Sequence, residues 1–450
     1  MKTLIANGRI VNEGRLFNGS ILIEDDRIVD IYDSSKRNNI PQADVVYNAK
    51  GKLVFPGFID THVHFREPGL THKADIFTES RAAALGGVTS YFEMPNTKPA
   101  ATTAELVDQK FDIAKKNSLV NYSFFVGATN DNVDNLLRMD YTKYCGIKLF
   151  MGSSTGNMLV DNEQTLRKLF KESPVTIAAH CESEAIIKAE TQRFKEMFPN
   201  GAEPKIHQHV RNAKACYEST ALAVSLAKEF DARLHVTHIT TKRELSLFGN
   251  KPLVNKLITA EACIPHIWFD ADDYENPNFG IRIKCNPSIK GRSDRKAIRD
   301  AIVNGVIDSI ATDHAPHTWE EKNKPYFESP SGMPGVETSS AVIMDLVQRK
   351  IFRLDDMVQK MCHAPATIFK IKDRGYIRKG YYADLAIIDP ECHWQVKDAE
   401  VASKCKWSPL NGLWFGSKVA ATMVNGKFVV KDGKVVEGQD AAKQITFNRL

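Results

Sequence analysis

His62 and His64 sit two residues apart in the stretch FPGFIDTHVHFREPG, Phe55 to Gly69, with Asp60 before them and Arg66 after. Alternate residues of a strand point to the same side, roughly 6.6 Å apart along it, so this pair can reach one metal ion or two neighbouring ones. Neutral imidazole nitrogens and carboxylate oxygens suit zinc and similar divalent ions, and a catalytic ion keeps a position open for water. A guanidinium two residues further on can make two parallel hydrogen bonds to a carboxylate. The stretch therefore points to a metal site that handles a small anionic substrate. A lone histidine at a strand end is more often structural. The weight comes from four further polar residues at comparable places, Lys148, His180, His238 and Asp313.

Those places are set by a run of short apolar strands alternating with amphipathic helices, the pattern of parallel βα units. Eight strands are expected over 58–64, 88–94, 122–128, 146–151, 175–180, 234–239, 257–263 and 306–312. Helical periodicity follows most of them, for example over 102–116, 212–230 and 292–304. Eight such units fit a closed (β/α)8 TIM barrel, with an open doubly wound sheet as the alternative. In a barrel the functional side chains gather at the carboxyl ends of the strands. His62 and His64 close the first strand, Lys148 lies late in the fourth, His180 ends the fifth, His238 is near the end of the sixth and Asp313 follows the eighth. His235 and His238 differ by three, so at most one of them should face the barrel interior, and His238 is nearer the strand end. A charged, unpaired lysine in a buried strand is costly, so burial should lower the pKa of Lys148. A neutral amine there can take up carbon dioxide as a carbamate that bridges two metals; a lysine paired with a nearby acid is the other reading. Ser153, Ser154 and Thr155, just beyond, could form a loop that hydrogen-bonds substrate, although polar residues beside glycine are usually plain loop.

Both chain ends read differently. Residues 3–50 alternate apolar and polar positions around Asn7-Gly8, Glu13-Gly14 and Asn18-Gly19, and the segment from Val419 does so around Asn425-Gly426 and Asp432-Gly433. These are hairpin signals. Paired, the two ends would make one small β domain of residues 1–55 plus 375–450, leaving 56–374 as the catalytic barrel.

The 450 residues are 43% hydrophobic and 26% charged, which allows a large core and argues against disorder. A net charge of +5 with interspersed signs gives little support to nucleic-acid binding. No run reaches the roughly 18 to 20 apolar residues that cross a bilayer. The eight cysteines form no CxxC pair and no secretory signal opens the chain, so a reducing, cytoplasmic setting with buried thiols is expected.

The stretch DTHVHFREPGLTHKADIFTESRAAALGGVTSYFEMPNTKP, Asp60 to Pro99, closely resembles the amino-terminal signature of dihydroorotases, in the cyclic amidohydrolase branch of the amidohydrolase superfamily, and IATDHAPH, Ile310 to His317, resembles their second signature. Weaker matches are HVTHIT from His235, NPSIK from Asn286 where the family usually reads NPPLR, SGMPGVET from Ser331 and SKCKWSPLNG from Ser403. The resemblance implies a (β/α)8 barrel with a β-sandwich from both ends and a centre of two divalent metal ions, usually Zn2+. His62 and His64 would hold the more buried ion with Asp313, His180 and His238 the more exposed one, and Lys148, N6-carboxylated, would bridge them. It further implies that Arg66, Asn96 and His317 hold the substrate carboxylate, with Asn286 beside them. The reaction would be the reversible closure of N-carbamoyl-L-aspartate to (S)-dihydroorotate in pyrimidine biosynthesis, with Asp313 as proton shuttle. Hydantoinases, dihydropyrimidinases and allantoinases are the near alternatives, but their substrates lack the ring carboxylate that Arg66 would meet. A non-catalytic relative serving aspartate transcarbamoylase as a scaffold is the distant one, and such proteins typically lose metal ligands that this chain keeps. The resemblance also leaves room for a homo-oligomer and for aspartate transcarbamoylase as a partner of an active enzyme.

Overall fold

The eight expected barrel strands form, over Phe58–Val63, Val88–Glu93, Asn121–Gly127, Gly146–Phe150, Ile177–His180, Leu234–Val236, Ile258–Cys263 and Ser309–Ala311. They pair in chain order in one eight-stranded sheet, and every pairing is parallel. The computed structural model describes residues 1–36, 40–152 and 157–449, so the Ser153, Ser154 and Thr155 loop lies outside the described residues. Ile258 alone among the strand residues escapes full burial. Parallel strands need this, because helices cover the sheet's outer face while its inner face lines the core. The last strand returns to the first. His64 N–H donates to the His314 carbonyl at 2.7 Å and Val63 bridges His314 in parallel, closing the barrel and excluding the open sheet. Below that seam the Asp60 carboxylate accepts from His62 N–H, Thr312 N–H and Thr312 Oγ1 (3.1, 3.2 and 2.6 Å), tying the first and eighth strand ends together.

The helices expected from periodicity are Ala104–Asn117, Ala213–Glu229 and Arg292–Val303. Thr103 and Asn212 cap the first two, their side chains accepting from Leu106 N–H and Ala215 N–H. Val107, Lys110, Phe111 and Ala114 form the buried stripe of the first, and the Lys110 ammonium pairs inside it with Glu93.

Strands from both chain ends share a nine-stranded sheet. Leu53–Pro56 joins the two contributions, running parallel to Lys2–Asn12 on one side and antiparallel to Leu385–Asp389 on the other. Ile21 and Ile28 from one end share a buried cluster with Leu385, Ile387 and Met423 from the other, so the sheet curls around its own core. Asn121 of the third barrel strand bonds to Asp384 and Asn425, which fastens this sheet beneath the barrel. The last residues return to the barrel as well, with Ile445 N–H on the Tyr122 carbonyl at 2.9 Å.

Two of the expected hairpin turns are corrected. Asn7-Gly8 lies inside the strand Lys2–Asn12 as a bulge, with Asn7 at φ 60°, and Asn18-Gly19 lies inside Arg15–Glu24. A Cβ on Gly19 would come 2.6 Å from the Tyr32 carbonyl, so this glycine answers a close approach of neighbouring backbone. Glu13-Gly14, Asn425-Gly426 and Asp432-Gly433 are true turns, each pair with positive φ at both residues.

Candidate active site

One cavity of roughly 270 Å3 is lined by His62, His64, Arg66, Asn96, Lys148, His180, His238, Asn286, Asp313 and His317, the ten residues that sequence reasoning put forward. It opens at the carboxyl ends of the barrel strands. Arg66, His238 and Asp313 stand just past three different strands at φ 71°, 40° and 50°. A non-glycine residue in this region is strained by about 1–3 kcal/mol, and such strain persists where the surroundings hold a side chain to a task.

His62, His64 and His180 each have the ring proton placed by a neighbour. Glu261, fully buried in the seventh strand, accepts from His62 Nδ1 at 2.9 Å, so His62 presents a bare Nε2. Asn96 Oδ1 accepts from His64 Nδ1 at 2.9 Å and does the same for that ring. Burial pulls the His64 pKa down to about 4, keeping the imidazole neutral. The two bare nitrogens then face Asp313 Oδ1 at 3.3 and 3.2 Å. Burial pushes the Asp313 carboxyl up, but the charge that His62 and His64 carry when protonated outweighs it, so Asp313 loses its proton below its ordinary range and is ionised where the rings are neutral. Two lone pairs and a carboxylate oxygen facing one another, with no proton between them, fit a divalent cation. The donor atoms of these three residues all lie within 4.8 Å of one another.

In the second set a carboxylate places the proton of His180 alone. Glu182 accepts from His180 Nε2 at 3.0 Å and is itself gripped by Arg211 at 2.5 Å. His180 Nδ1 is thereby left bare and meets His238 Nε2 at 2.8 Å. Lys148 lies beside them, its Nζ donating to Thr237 Oγ1 at 3.3 Å, and it forms no ion pair among the described residues. Burial brings its pKa down to about 8.

The remaining wall suits an anion. Arg66 is buried, donates from Nε to the Pro316 carbonyl at 3.0 Å, and has no carboxylate partner among the described residues. Burial lowers it only to about 10, so it stays charged at neutral pH. His317 stands 3.1 Å from Arg66 Nη2, with Lys73 Nζ 3.1 Å from its other nitrogen. If Nδ1 accepts from Lys73, then Nε2 carries the proton that reaches the Ser331 carbonyl at 3.1 Å. Asn286 Oδ1 is buried without a partner among the described residues, an orphaned acceptor on the cavity wall.

His235 corrects the parity argument. It bonds Thr259 Oγ1 at 2.8 Å and lies 3.4 Å from Glu261, inside the barrel, while His238 also lines the interior cavity. The strand stops at Val236 and the chain turns at His238, so alternation no longer applies between them. Sequence reasoning also passed over Glu261, Glu182 and Lys73. A single acid in the apolar strand ITAEAC was the available signal for Glu261. Its carboxylate gathers Thr61 Oγ1, His62, His235 and the His238 N–H, and so joins both halves of the site. Glu261→Gln keeps the volume and removes the charge. Chelator competition should then strip metal about 10- to 100-fold more readily than from the parent, and equal retention would remove Glu261 from this role.

A profile described as the amidohydrolase family matches residues 53–429. The dihydroorotase of Clostridium acetobutylicum is 34% identical over 443 residues, covering 95% of this chain and 99% of that protein. The dihydroorotase of Pyrococcus abyssi is 31% identical over 437 residues, covering 96% of each. Among solved structures, the L-hydantoinase (dihydropyrimidinase) of Arthrobacter aurescens superposes with a TM-score of 0.92 at 26% identity, covering 99% of both chains.

Proposed function

The chain belongs to the amidohydrolase family, and on that premise we propose that it is a metal-dependent dihydroorotase, interconverting N-carbamoyl-L-aspartate and (S)-dihydroorotate. The observation that carries the choice is Arg66, a buried guanidinium without a carboxylate partner among the described residues, beside His317 on the cavity wall. A hydantoin offers nothing for it, and a ring carboxylate does.

His62, His64 and Asp313 would hold one divalent ion and His180 with His238 a second, zinc by ligand type, with Lys148 as its carbamate between them. Such ions, when bound, supply a water whose pKa falls from about 15.7 towards 7. The chain does the rest. Arg66 binds the substrate carboxylate, with His317 beside it sharing its one Nε2 proton between the Ser331 carbonyl and that carboxylate, and Asn96, its Oδ1 engaged by His64, has its Nδ2 left to donate. Asn286 offers its unpartnered oxygen to a ring N–H. Asp313 takes the water proton on its carboxylate and returns it to the ring nitrogen as the amide bond breaks; ring closure runs the same transfers backwards.

The same reading takes 56–374 as the catalytic domain and 1–55 with 375–450 as its companion, supported by the shared sheet of the two ends. It places the protein in a reducing cytoplasm, supported by eight unpaired cysteines, seven of them buried. Among the described residues no helix is long and apolar enough to cross a membrane.

Purified protein offered dihydroorotate, hydantoin and allantoin should turn over dihydroorotate far faster than the others. Arg66→Ala, which keeps a Cβ at the same positive φ and so adds no backbone strain, should raise KM for dihydroorotate about a hundredfold with a smaller change in kcat. Preference for hydantoin, or an unchanged KM in the variant, would overturn the assignment.

A further inference from the structure

Behind the anion wall lie two buried lysines that the reaction does not use. Lys322, in the short helix Trp319–Lys322, is fully buried. Its Nζ donates to three backbone carbonyls, those of Lys284 at 2.7 Å, Pro330 at 3.1 Å and Gly332 at 2.7 Å. Lys284 Nζ donates to the carbonyls of Tyr326 at 2.6 Å and Ser329 at 2.5 Å. An ammonium has three donors and no acceptor, so Lys322 is filled by carbonyls alone. Neither lysine has a carboxylate partner among the described residues. The segment from Tyr326 to Gly332 thus wraps around two ammonium groups, and Gly332 N–H closes the wrap on the Lys284 carbonyl at 2.9 Å.

The other side of this loop is the cavity. Pro330, Ser331 and Gly332 line it, and the Ser331 carbonyl accepts from His317. Gly332, at φ 131°, passes so close that a Cβ there would lie 2.6 Å from the Ala315 carbonyl and 3.1 Å from His317 Nε2. Carbonyls left without donors inside a protein pull their segment towards water. Removing the ammonium groups should let the loop draw back and take from His317 the acceptor that orients it.

We propose that Lys322 and Lys284 are positioning residues, holding the Tyr326–Gly332 loop against the anion end of the cavity so that His317 and Arg66 meet the substrate carboxylate. The loop's dependence on the lysines stands by itself, whereas its effect on the substrate rests on the dihydroorotase reading.

Lys322→Met matches the side chain in length and removes every donor. KM for dihydroorotate should rise about tenfold or more with kcat nearly unchanged, the pattern of lost substrate positioning. Lys322→Ala leaves room for a small cation, and millimolar methylammonium should bring its KM back; Lys322→Met, without that room, should not respond. Without substrate, amide hydrogen exchange at Ser331 and Gly332 should quicken in both variants and slow again with methylammonium in Lys322→Ala alone. A folded Lys322→Met with the parent KM overturns the proposal, as does a raised KM in Lys322→Ala that methylammonium leaves untouched. Should Lys322→Met fail to fold, Lys284→Met carries the same comparison. If the parent does not turn over dihydroorotate, the dihydroorotase reading falls separately, and unchanged exchange in the variants still overturns the hold on the loop.

Discussion

Asp313→Asn is expected to lower kcat about a thousandfold, the middle of the range for a lost general acid–base group, while the melting temperature stays within a few degrees of the parent. Asparagine is the right probe because Asp313 sits at φ 50°, a region that asparagine tolerates better than most residues, so the backbone after the eighth strand keeps its path. The amide oxygen can still face His62 and His64, now at 3.3 and 3.2 Å from Oδ1, and much of the metal should remain. What goes is a carboxylate able to accept a proton. With its pKa below the ordinary carboxylate range Asp313 is ionised at neutral pH, and no amide reproduces that. Stopped assays in both directions, with metal content measured on the same samples, separate the two contributions. A variant that retains its metal and turns over at near the parent rate would refute the proton transfer assigned here.

The barrel was legible because its strands are unbroken apolar runs, and a parallel strand covered on both faces has to be one. The polar residues at their carboxyl ends stood out against that background, which is why His62, His64, Lys148, His180, His238 and Asp313 could be named from position before any contact was known. Arg66 was added by its spacing from His64, whereas Asn96, Asn286 and His317 came from the family resemblance. Local rules failed where a tertiary contact decided the conformation. Asn7-Gly8 and Asn18-Gly19 have the composition of turns, but their strands run on, because Lys2–Asn12 pairs with Arg15–Glu24 and Gly19 answers the approach of Tyr32. Two-residue alternation misjudged His235 and His238 because the strand between them ends early. Glu182 stands two positions from His180 and was open to a closer reading, but two other missed residues share one property. Glu261 lies 199 positions from His62 and Lys322 lies 38 from Lys284, so spacing along the chain could not reveal their partners. An acid or a lysine in an apolar segment can announce its burial, but its partner is known only once the chain has folded.

On the proposed two-ion site, Lys148→Met should cost kcat on the order of a thousandfold or more, because ions bound there would lose the ligand proposed to join them. As an ammonium, Lys148 would be a positive charge set beside His180 and His238, repelling the ion they are arranged to hold. No acid forms an ion pair with it among the described residues, and its Nζ has only the Thr237 hydroxyl at 3.3 Å. A buried lysine with neither a carboxylate nor a set of backbone carbonyls to receive its protons is better accommodated if it gives one up, and burial has moved the Lys148 pKa to about 8. At pH 7 about a tenth of such an amine is neutral, several hundred times more than of an ordinary lysine. Each neutral amine can add carbon dioxide through a new N–C bond and release a proton to solvent, which would leave an anionic oxygen ligand beside the two histidine sets in place of a repelling cation. Growth or reconstitution with 13C-bicarbonate should therefore give a carbamate carbon signal in the parent and none in Lys148→Met, a readout independent of turnover. Metal added to stripped protein should restore activity only when carbon dioxide is supplied. Full reactivation in buffer free of carbon dioxide, or a labelled signal that survives Lys148→Met, would leave Lys148 as an ordinary buried amine and take the bridge out of the site.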